Sequence, residues 1–164
     1  MTEITLIAHN IRSTHNVGSI FRTAEGFGVT KIILSGYTPC PKYKGDKRLP
    51  HIAEKLDKQI HKTALGAESM VPFEYYEDVR TWLCDNDAHA KLPVIALEQA
   101  PDSQLLQDYA APAKFALLLG EEVYGIEDDI LQWCDEVVEI PMVGQKESFN
   151  VSVATGIALY GLTY

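Results

Sequence analysis

The run Phe115-Ala116-Leu117-Leu118-Leu119 is apolar at every position. A strand with one wet face would alternate apolar and polar residues, so this run is typical of a strand buried on both faces of a parallel sheet. Such a sheet needs helices on both sides, and helical apolar spacing does alternate with strand-like runs along the chain. The sequence therefore predicts an α/β fold with a mostly parallel sheet flanked by helices on both faces.

The same periodicities predict the order of the elements. Strands are expected at residues 4–8, 31–35, 92–97, 115–119 and 136–140, with a short extended piece at 70–73. Helices are expected at 16–27, 52–65, 78–87, 127–134 and from about 150 to the end. Residues 36–50 carry three prolines and two glycines and should form a loop.

Composition limits the class of protein. The chain has 164 residues, 46% apolar and 23% charged, which is ordinary for one globular domain. No apolar stretch reaches the roughly eighteen residues of a membrane span, and the N-terminus lacks a signal-peptide pattern. The three cysteines are far apart, which argues against both a disulfide framework and a zinc site. We expect a cytoplasmic protein without membrane contact or bound metal.

Charge is unevenly distributed. The net charge is −9, but residues 1–62 hold ten Lys/Arg against five Asp/Glu, and residues 63–164 hold four against eighteen. The basic half could hold a phosphate backbone. Its closely spaced basic residues are Lys42, Lys44, Lys47, Arg48, Lys55, Lys58 and Lys62, with His51 and His61 among them. Taken alone, this charge pattern is more typical of a solvated protein surface than of an RNA-binding surface.

Three polar segments follow predicted strands and should meet at one edge of the sheet, where parallel folds bind ligands. They are residues 16–22, 120–125 and 141–148. Capping a helix and binding a ligand are equally open roles for Ser148 and Asn150, and Asn16 could also cap. The chain has neither a Gly-x-Gly-x-x-Gly fingerprint nor a Walker lysine, which argues against a dinucleotide-dependent oxidoreductase.

Taken together, the segments match three ordered motifs. The first is asparagine-x-glycine followed by arginine and Phe-Gly, present as Asn16, Gly18, Arg22, Phe27 and Gly28. The second is glycine-x-glutamate-x-x-glycine, present as Gly120, Glu122 and Gly125. The third is Ile140-Pro141-Met142 leading to Ser148-Phe149-Asn150-Val151-Ser152. The set resembles the SpoU (TrmH-like) branch of the SPOUT methyltransferase superfamily, with Phe149 where leucine is usual.

The resemblance implies an S-adenosylmethionine-dependent RNA methyltransferase that modifies a ribose 2′-hydroxyl in tRNA or rRNA. It also implies a homodimer, a C-terminal deep trefoil knot, and a single catalytic domain over residues 1–164 with no appended RNA-binding domain. The positions that it implies for the cofactor are Leu97, Gly120, Ile140, Met142 and Phe149.

The resemblance assigns the chemistry to one arginine and four polar residues that place it and the ribose: Arg22, Asn16, Glu122, Ser148 and Asn150. Because a guanidinium stays protonated, we expect Arg22 to orient the hydroxyl and the adjacent phosphate. A phosphate or a water would then take the proton. Glu121 could pair with a basic residue, but the motif register selects Glu122.

Two alternatives within this resemblance stay open. One is a SPOUT enzyme that methylates a base nitrogen, against which the intact Arg22 motif and the Ser148–Asn150 pair argue. The other is a non-catalytic dimer that binds RNA or S-adenosylmethionine. Loss of Arg22 or Asn150 would mark such a dimer, and both residues are present.

Overall fold

Seven strands form one sheet in the computed structural model, which describes residues 2–164. They are β1 Glu3–His9, β2 Lys31–Ser35, β3 Phe73–Tyr76, β4 Val94–Leu97, β5 Gln104–Leu105, β6 Lys114–Leu119 and β7 Glu136–Glu139. Their order is β3-β2-β1-β6-β4-β7-β5, and each pairing is parallel. The apolar strand β6 lies inside the sheet between β1 and β4, with Phe115–Leu119 buried. The predicted parallel sheet is confirmed.

Five α-helices cover the two faces of the sheet. They are α1 Thr14–Gly26, α2 Pro50–Ala64, α3 Val79–Asp85, α4 Asp128–Leu131 and α5 Val151–Thr163. One core packs α1, α2 and α5 against the sheet, and a second packs α3 and α4 against the opposite face. Alternate residues of β1 divide between the two cores, with Leu6 in the first and Ile7 in the second. The prediction of helices on both faces is therefore confirmed.

The start of α1 is set by Ser13, whose side chain accepts a 3.2 Å hydrogen bond from the backbone nitrogen of Asn16. The capping role considered for Asn16 is therefore wrong, because Asn16 already lies inside the first turn. Behind this turn α1 packs closely on α2. A Cβ added to Gly18 would lie 2.3 Å from the carbonyl oxygen of Ile60, so only glycine permits this approach.

Two expectations about local structure need correction, and one strand was not expected. The extended piece at 70–73 is wrong, because residues 70 and 71 follow a short helical turn, Ala67–Ser69, and the strand begins at Phe73. The helix expected at 127–134 is shorter, Asp128–Leu131. Strand β5 was not predicted, since its two residues are too few to show a period.

The last helix, α5, is apolar on two sides. Val151, Thr155, Ala158, Leu159 and Leu162 are buried against the sheet. The opposite stripe, here named the outer face of α5, is exposed and consists of Val153, Ile157, Tyr160 and Tyr164. Neither α5 nor any other helix of residues 2–164 is long and apolar enough to span a lipid bilayer.

Candidate functional site

A cleft of about 450 Å³ opens at the carboxyl edge of the sheet. Its walls are the ends of β4, β6 and β7, the loop 120–125, and the segment that precedes α5. Four of the five positions expected to hold a cofactor line it: Leu97, Gly120, Ile140 and Phe149. Met142 is not among the lining residues. The volume lies within the range of small-molecule sites.

Asn16 joins the three motif segments beside this cleft. Its side-chain nitrogen donates a hydrogen bond to Glu122, which lines the cleft. Its side-chain oxygen accepts a 3.2 Å hydrogen bond from Asn150. Residues separated by more than a hundred positions therefore meet at one point of the sheet edge.

Asn150 performs two tasks at once. Its side-chain oxygen caps α5 by accepting from the backbone nitrogen of Ser152 at 3.0 Å, while its side-chain nitrogen reaches Asn16. Asn150 therefore both caps α5 and contributes to the candidate site. Ser148 lines the cleft but does not cap α5, so the capping role considered for it is wrong.

Arg22 lies away from this group within a single chain. It is exposed on α1, and the contacts described for residues 2–164 include no hydrogen bond or ion pair of its side chain. It lies six positions after Asn16, which is about 9 Å along a helix axis. One chain alone therefore does not bring Arg22 to Asn16, Glu122 and Asn150.

The neighbouring carboxylate Glu121 shapes the loop that carries Glu122. It is buried, and it accepts a 2.8 Å hydrogen bond from the backbone nitrogen of Val123 and another from Tyr124. Arg12 lies 3.7 Å from it, which confirms that Glu121 pairs with a basic residue. Glu121 is thus held by backbone contacts, whereas Glu122 is exposed and contacts the side chain of Asn16.

Sequence reasoning missed Glu98, the residue after β4. Its carboxylate accepts a 3.0 Å hydrogen bond from the backbone nitrogen of Ile126 and so anchors the end of the loop 120–125. Gly125 lies against this carboxylate with a φ of +71°, and a Cβ added to Gly125 would lie 2.3 Å from a carboxylate oxygen of Glu98. A carboxylate placed directly after a buried strand was the available signal.

The lining of the cleft combines apolar side chains with carboxylates. The apolar residues include Leu97, Leu119, Ile140, Phe149 and Val151, and the acidic ones are Glu98, Glu121, Glu122, Glu139 and Glu147. This combination suits a ligand with a flat apolar part and a positive charge, and it disfavours a phosphate-rich ligand. Among residues 2–164, no group of three or more His, Cys, Asp or Glu side chains could hold a metal ion.

A buried histidine stands at the end of β1, close to this edge. His9 has its Nδ1 atom 3.0 Å from the hydroxyl of Ser35 and its Nε2 atom 3.2 Å from the carboxylate of Glu127. Burial lowers the pKa of His9 below 6.5, and the charge of Glu127 offsets part of that effect. Glu127 follows the loop 120–125, so this network ties the loop to β1 and β2.

The sequence model of the SpoU rRNA methylase family matches residues 3–160. The 23S rRNA (guanosine-2′-O-)-methyltransferase RlmB of Nitrosomonas europaea is 31% identical over 155 residues, which are 94% of this chain and 54% of that protein. The protein of the same name from Coxiella burnetii is 31% identical over 156 residues, 94% of this chain and 56% of that protein. The chain thus spans about half the length of the curated relatives it matches.

Solved structures show the same fold. An rRNA methyltransferase from Sinorhizobium meliloti with bound AdoMet superposes with a TM-score of 0.80 at 23% identity, over 97% of this chain and 55% of that one. The A. aeolicus TrmH/SpoU tRNA modifying enzyme gives a TM-score of 0.77 at 23% identity, over 98% of this chain and 74% of that one. Because the family model covers residues 3–160 and the three motifs meet at one cleft, the chain belongs to the SpoU rRNA methylase family.

Proposed function

We propose that this protein is an S-adenosylmethionine-dependent RNA methyltransferase that methylates a ribose 2′-hydroxyl in rRNA or tRNA. The observation that carries the proposal is the bridge from Asn16 to Glu122 and Asn150 beside the cleft. The bridge assembles the three motifs of a chain whose curated relatives are named as guanosine-2′-O-methyltransferases.

The cleft suits S-adenosylmethionine in its chemistry. Leu97, Ile140 and Phe149 offer an apolar wall for a purine ring, and Gly120 offers backbone at close range. The carboxylates of the lining favour the positive charges of this ligand. We propose Met142 as a fifth contact, although it is not part of the cleft lining. When bound, the cofactor supplies a methyl group activated by its sulfonium charge.

The catalytic residues of the proposal are Arg22, Asn16, Glu122, Ser148 and Asn150. Arg22 orients the 2′-hydroxyl and the adjacent phosphate through its fixed fork of donors. Asn16 and Asn150 hold Glu122 and the start of α5 in one geometry, which lowers the barrier by fixing the acceptor. The proton that leaves the 2′-oxygen passes to a phosphate oxygen or a water.

A homodimer completes the proposed site. The outer face of α5 leaves Val153, Tyr160 and Tyr164 at least half exposed. An apolar stripe of this length on a helix favours a protein contact. A second copy docked on that face would allow Arg22 of one protomer to reach the cleft of its partner. This accounts for an arginine that is exposed and remote from the other site residues in one chain.

We also propose the C-terminal deep trefoil knot and a cytoplasmic location. Supporting the knot, the side-chain nitrogen of Gln99 donates a 2.8 Å hydrogen bond to the carbonyl oxygen of Glu147. The segment that enters α5 is thereby held against the loop that follows β4. Residues 1–164 would act as one SpoU-type catalytic domain, and cellular RNA would be met in the cytoplasm.

The test compares RNA from cells with and without this protein by nucleoside mass spectrometry. Loss of one 2′-O-methylnucleoside is expected, and the purified protein should restore it to the deficient RNA with added S-adenosylmethionine. Loss of a base-methylated nucleoside instead would identify the base-nitrogen alternative. An unchanged profile under several growth conditions would favour the non-catalytic dimer and contradict the proposal.

A further inference from the structure

Helix α2 carries a straight row of basic side chains, here named the α2 ridge: His51, Lys55, Lys58 and Lys62. Their spacing of four, three and four residues places all of them within an arc of about 60° on a helix. The buried residues of α2, Ala53, Ile60 and Ala64, lie on the opposite side. The ridge therefore faces away from the core, and all its members are exposed.

The charges of the ridge are not neutralised by neighbouring acids. Among the ion pairs described for residues 2–164, none involves Lys55, Lys58 or Lys62. The two acids of α2 contact Lys42 and not the ridge: the ammonium of Lys42 pairs with Glu54 at 3.5 Å, and its backbone nitrogen donates to Asp57 at 2.8 Å. The ridge thus keeps its positive charge.

The structure also removes Arg48 from the basic cluster seen in the sequence. Its guanidinium donates 3.0 Å hydrogen bonds to the carbonyl oxygens of Cys40 and Pro41 and pairs with Asp46. Arg48 therefore holds the loop 36–49 together and offers little to a ligand. Lys44 and Lys47 of this loop are exposed and occur in none of the ion pairs described for residues 2–164. The basic charge available to a partner therefore lies on α2 and on this loop.

One end of the ridge adjoins the candidate site. The hydroxyl of Thr63, the residue after Lys62, donates a 2.8 Å hydrogen bond to the carbonyl oxygen of His15. The next residue along α1 is Asn16, which bridges the motifs beside the cleft. From His51 to Lys62 the ridge extends about 16 Å along the helix axis. A polymer lying along it would arrive at Asn16.

We propose that the α2 ridge binds the phosphate backbone of the substrate RNA and guides the strand to the cleft, an inference that rests on the proposed function. Charge complementarity supports RNA, because a phosphate backbone presents a regular row of negative charges. Residues 63–164 hold eighteen acidic residues against four Lys/Arg, so most of the remaining chain repels RNA. The cleft itself is lined by carboxylates, so backbone affinity has to come from elsewhere.

The test measures binding of a short fluorescein-labelled single-stranded RNA by anisotropy over a series of KCl concentrations. This electrostatic contribution does not depend on sequence, so the natural substrate is not needed. The slope of the log of the association constant against log[KCl] is negative, and its magnitude should be smaller by about 2 in the variant K55Q/K58Q/K62Q. Each lost phosphate contact on single-stranded RNA accounts for about 0.7. Its affinity at moderate salt should fall by about 10-fold or more.

The matched control is K31Q/K91Q/K114Q, which removes the same charge elsewhere. Lys31 and Lys114 begin β2 and β6 at the amino edge of the sheet, opposite the cleft. This control should keep the wild-type slope, and the charge-preserving variant K55R/K58R/K62R should keep both slope and affinity. Circular dichroism and S-adenosylmethionine titration should show that all three variants fold and bind cofactor alike.

Equal weakening by the ridge variant and the control would mean that only net charge matters, and it would overturn the inference. Unchanged RNA binding by the ridge variant would also overturn it and would leave the ridge to an acidic protein partner. Failure of the proposed function has a different signature. In that case the wild-type protein binds RNA through the ridge but transfers no methyl group to any cellular RNA.

Discussion

The side-chain nitrogen of Asn150 lies 3.2 Å from the side-chain oxygen of Asn16, although the two residues are 134 positions apart. The contact joins the cap of α5 to the first turn of α1. Because Asn16 also donates to Glu122, one asparagine sets the relative positions of three segments. A change at Asn16 should therefore affect geometry more than cofactor affinity.

Asn16→Ala should reduce methyl transfer about 100-fold, because small misplacements of reacting groups have effects of that order. The variant should bind S-adenosylmethionine nearly as well as the wild type, since Asn16 does not line the cleft. Single-turnover transfer and calorimetric titration measure the two quantities. Ser19→Ala, on the same helix, is the control and should change neither. A large loss of cofactor affinity would contradict the bridging role.

Much of this arrangement could be predicted from the sequence, because the patterns that indicate it lie within short segments of the chain. The apolar run 115–119 predicts a buried parallel strand, and the polar residues that follow each strand then share one edge. The partners across that edge could not be predicted. Glu122 contacts Asn16 because the strand order places β1 next to β6, and Asn150 contacts it because α5 packs beside α1. No periodicity encodes either neighbourhood.

Arg22→Ala should abolish transfer while leaving S-adenosylmethionine binding and thermal stability near the wild-type values. Stability should hold because Arg22 is exposed on α1. Arg22→Lys should also be strongly impaired, since an ammonium cannot reproduce the two-point contact of a guanidinium. Transfer assays and thermal unfolding measure both effects. Full activity in Arg22→Ala would contradict the assigned role.

A mixed dimer tests whether Arg22 acts on the partner's cleft. One protomer would carry Arg22→Ala and the other Glu122→Ala, each inactive as a homodimer. If each site takes Arg22 from one chain and Glu122 from the other, one site of the mixed dimer is intact. About half of the wild-type activity per dimer is expected. Activity no higher than in the two homodimers would place both residues in the same chain's site.

Tyr160→Asp should convert the proposed dimer to monomers, because it places a charge in the outer face of α5. Tyr160 is 63% exposed in one chain, so the fold of the monomer should survive. Sedimentation velocity measures the change in mass. Met70→Asp, at a residue 68% exposed on another part of the surface, is the control and should leave the mass unchanged. A wild-type monomer would contradict the dimer.

His9 predicts a specific dependence of stability on pH. Burial lowers its pKa in the folded chain, whereas the unfolded chain has the ordinary value of 6.5. Below pH 6.5 the unfolded state therefore binds more protons than the folded state. The free energy of unfolding decreases as the pH is lowered from 6.5 to the pKa of His9 in the folded chain. Urea unfolding at about pH 7.5 and about pH 5.5 should show a smaller difference for His9→Gln than for the wild type. Equal differences would mean that other groups cause the loss.

Several features were beyond sequence reasoning because they depend on tertiary contacts. Strand β5 consists of Gln104 and Leu105 and exists only through its pairing with β7. Glu98 belongs to no motif, and although its place directly after a buried strand was a signal, its contact with the backbone of Ile126 could not be predicted. Gly125 did belong to a motif, but the reason for a glycine there becomes visible only beside Glu98.

Gly125→Ala should lower the free energy of unfolding by about 1–2 kcal/mol, the usual cost of a left-handed conformation for a residue with a Cβ. Because the new Cβ would also overlap the carboxylate of Glu98, the loop 120–125 should shift and S-adenosylmethionine should bind more weakly. Gly28→Ala has a similar φ of +67° with open space around it, so it should lose stability but keep cofactor affinity. Gly144→Ala has no atom within 4 Å of its Cβ and should change neither. Calorimetric titration and urea unfolding of the three variants separate the effect of backbone strain from the effect of overlap with Glu98. Wild-type cofactor affinity in Gly125→Ala would show that the loop does not shape the cofactor site.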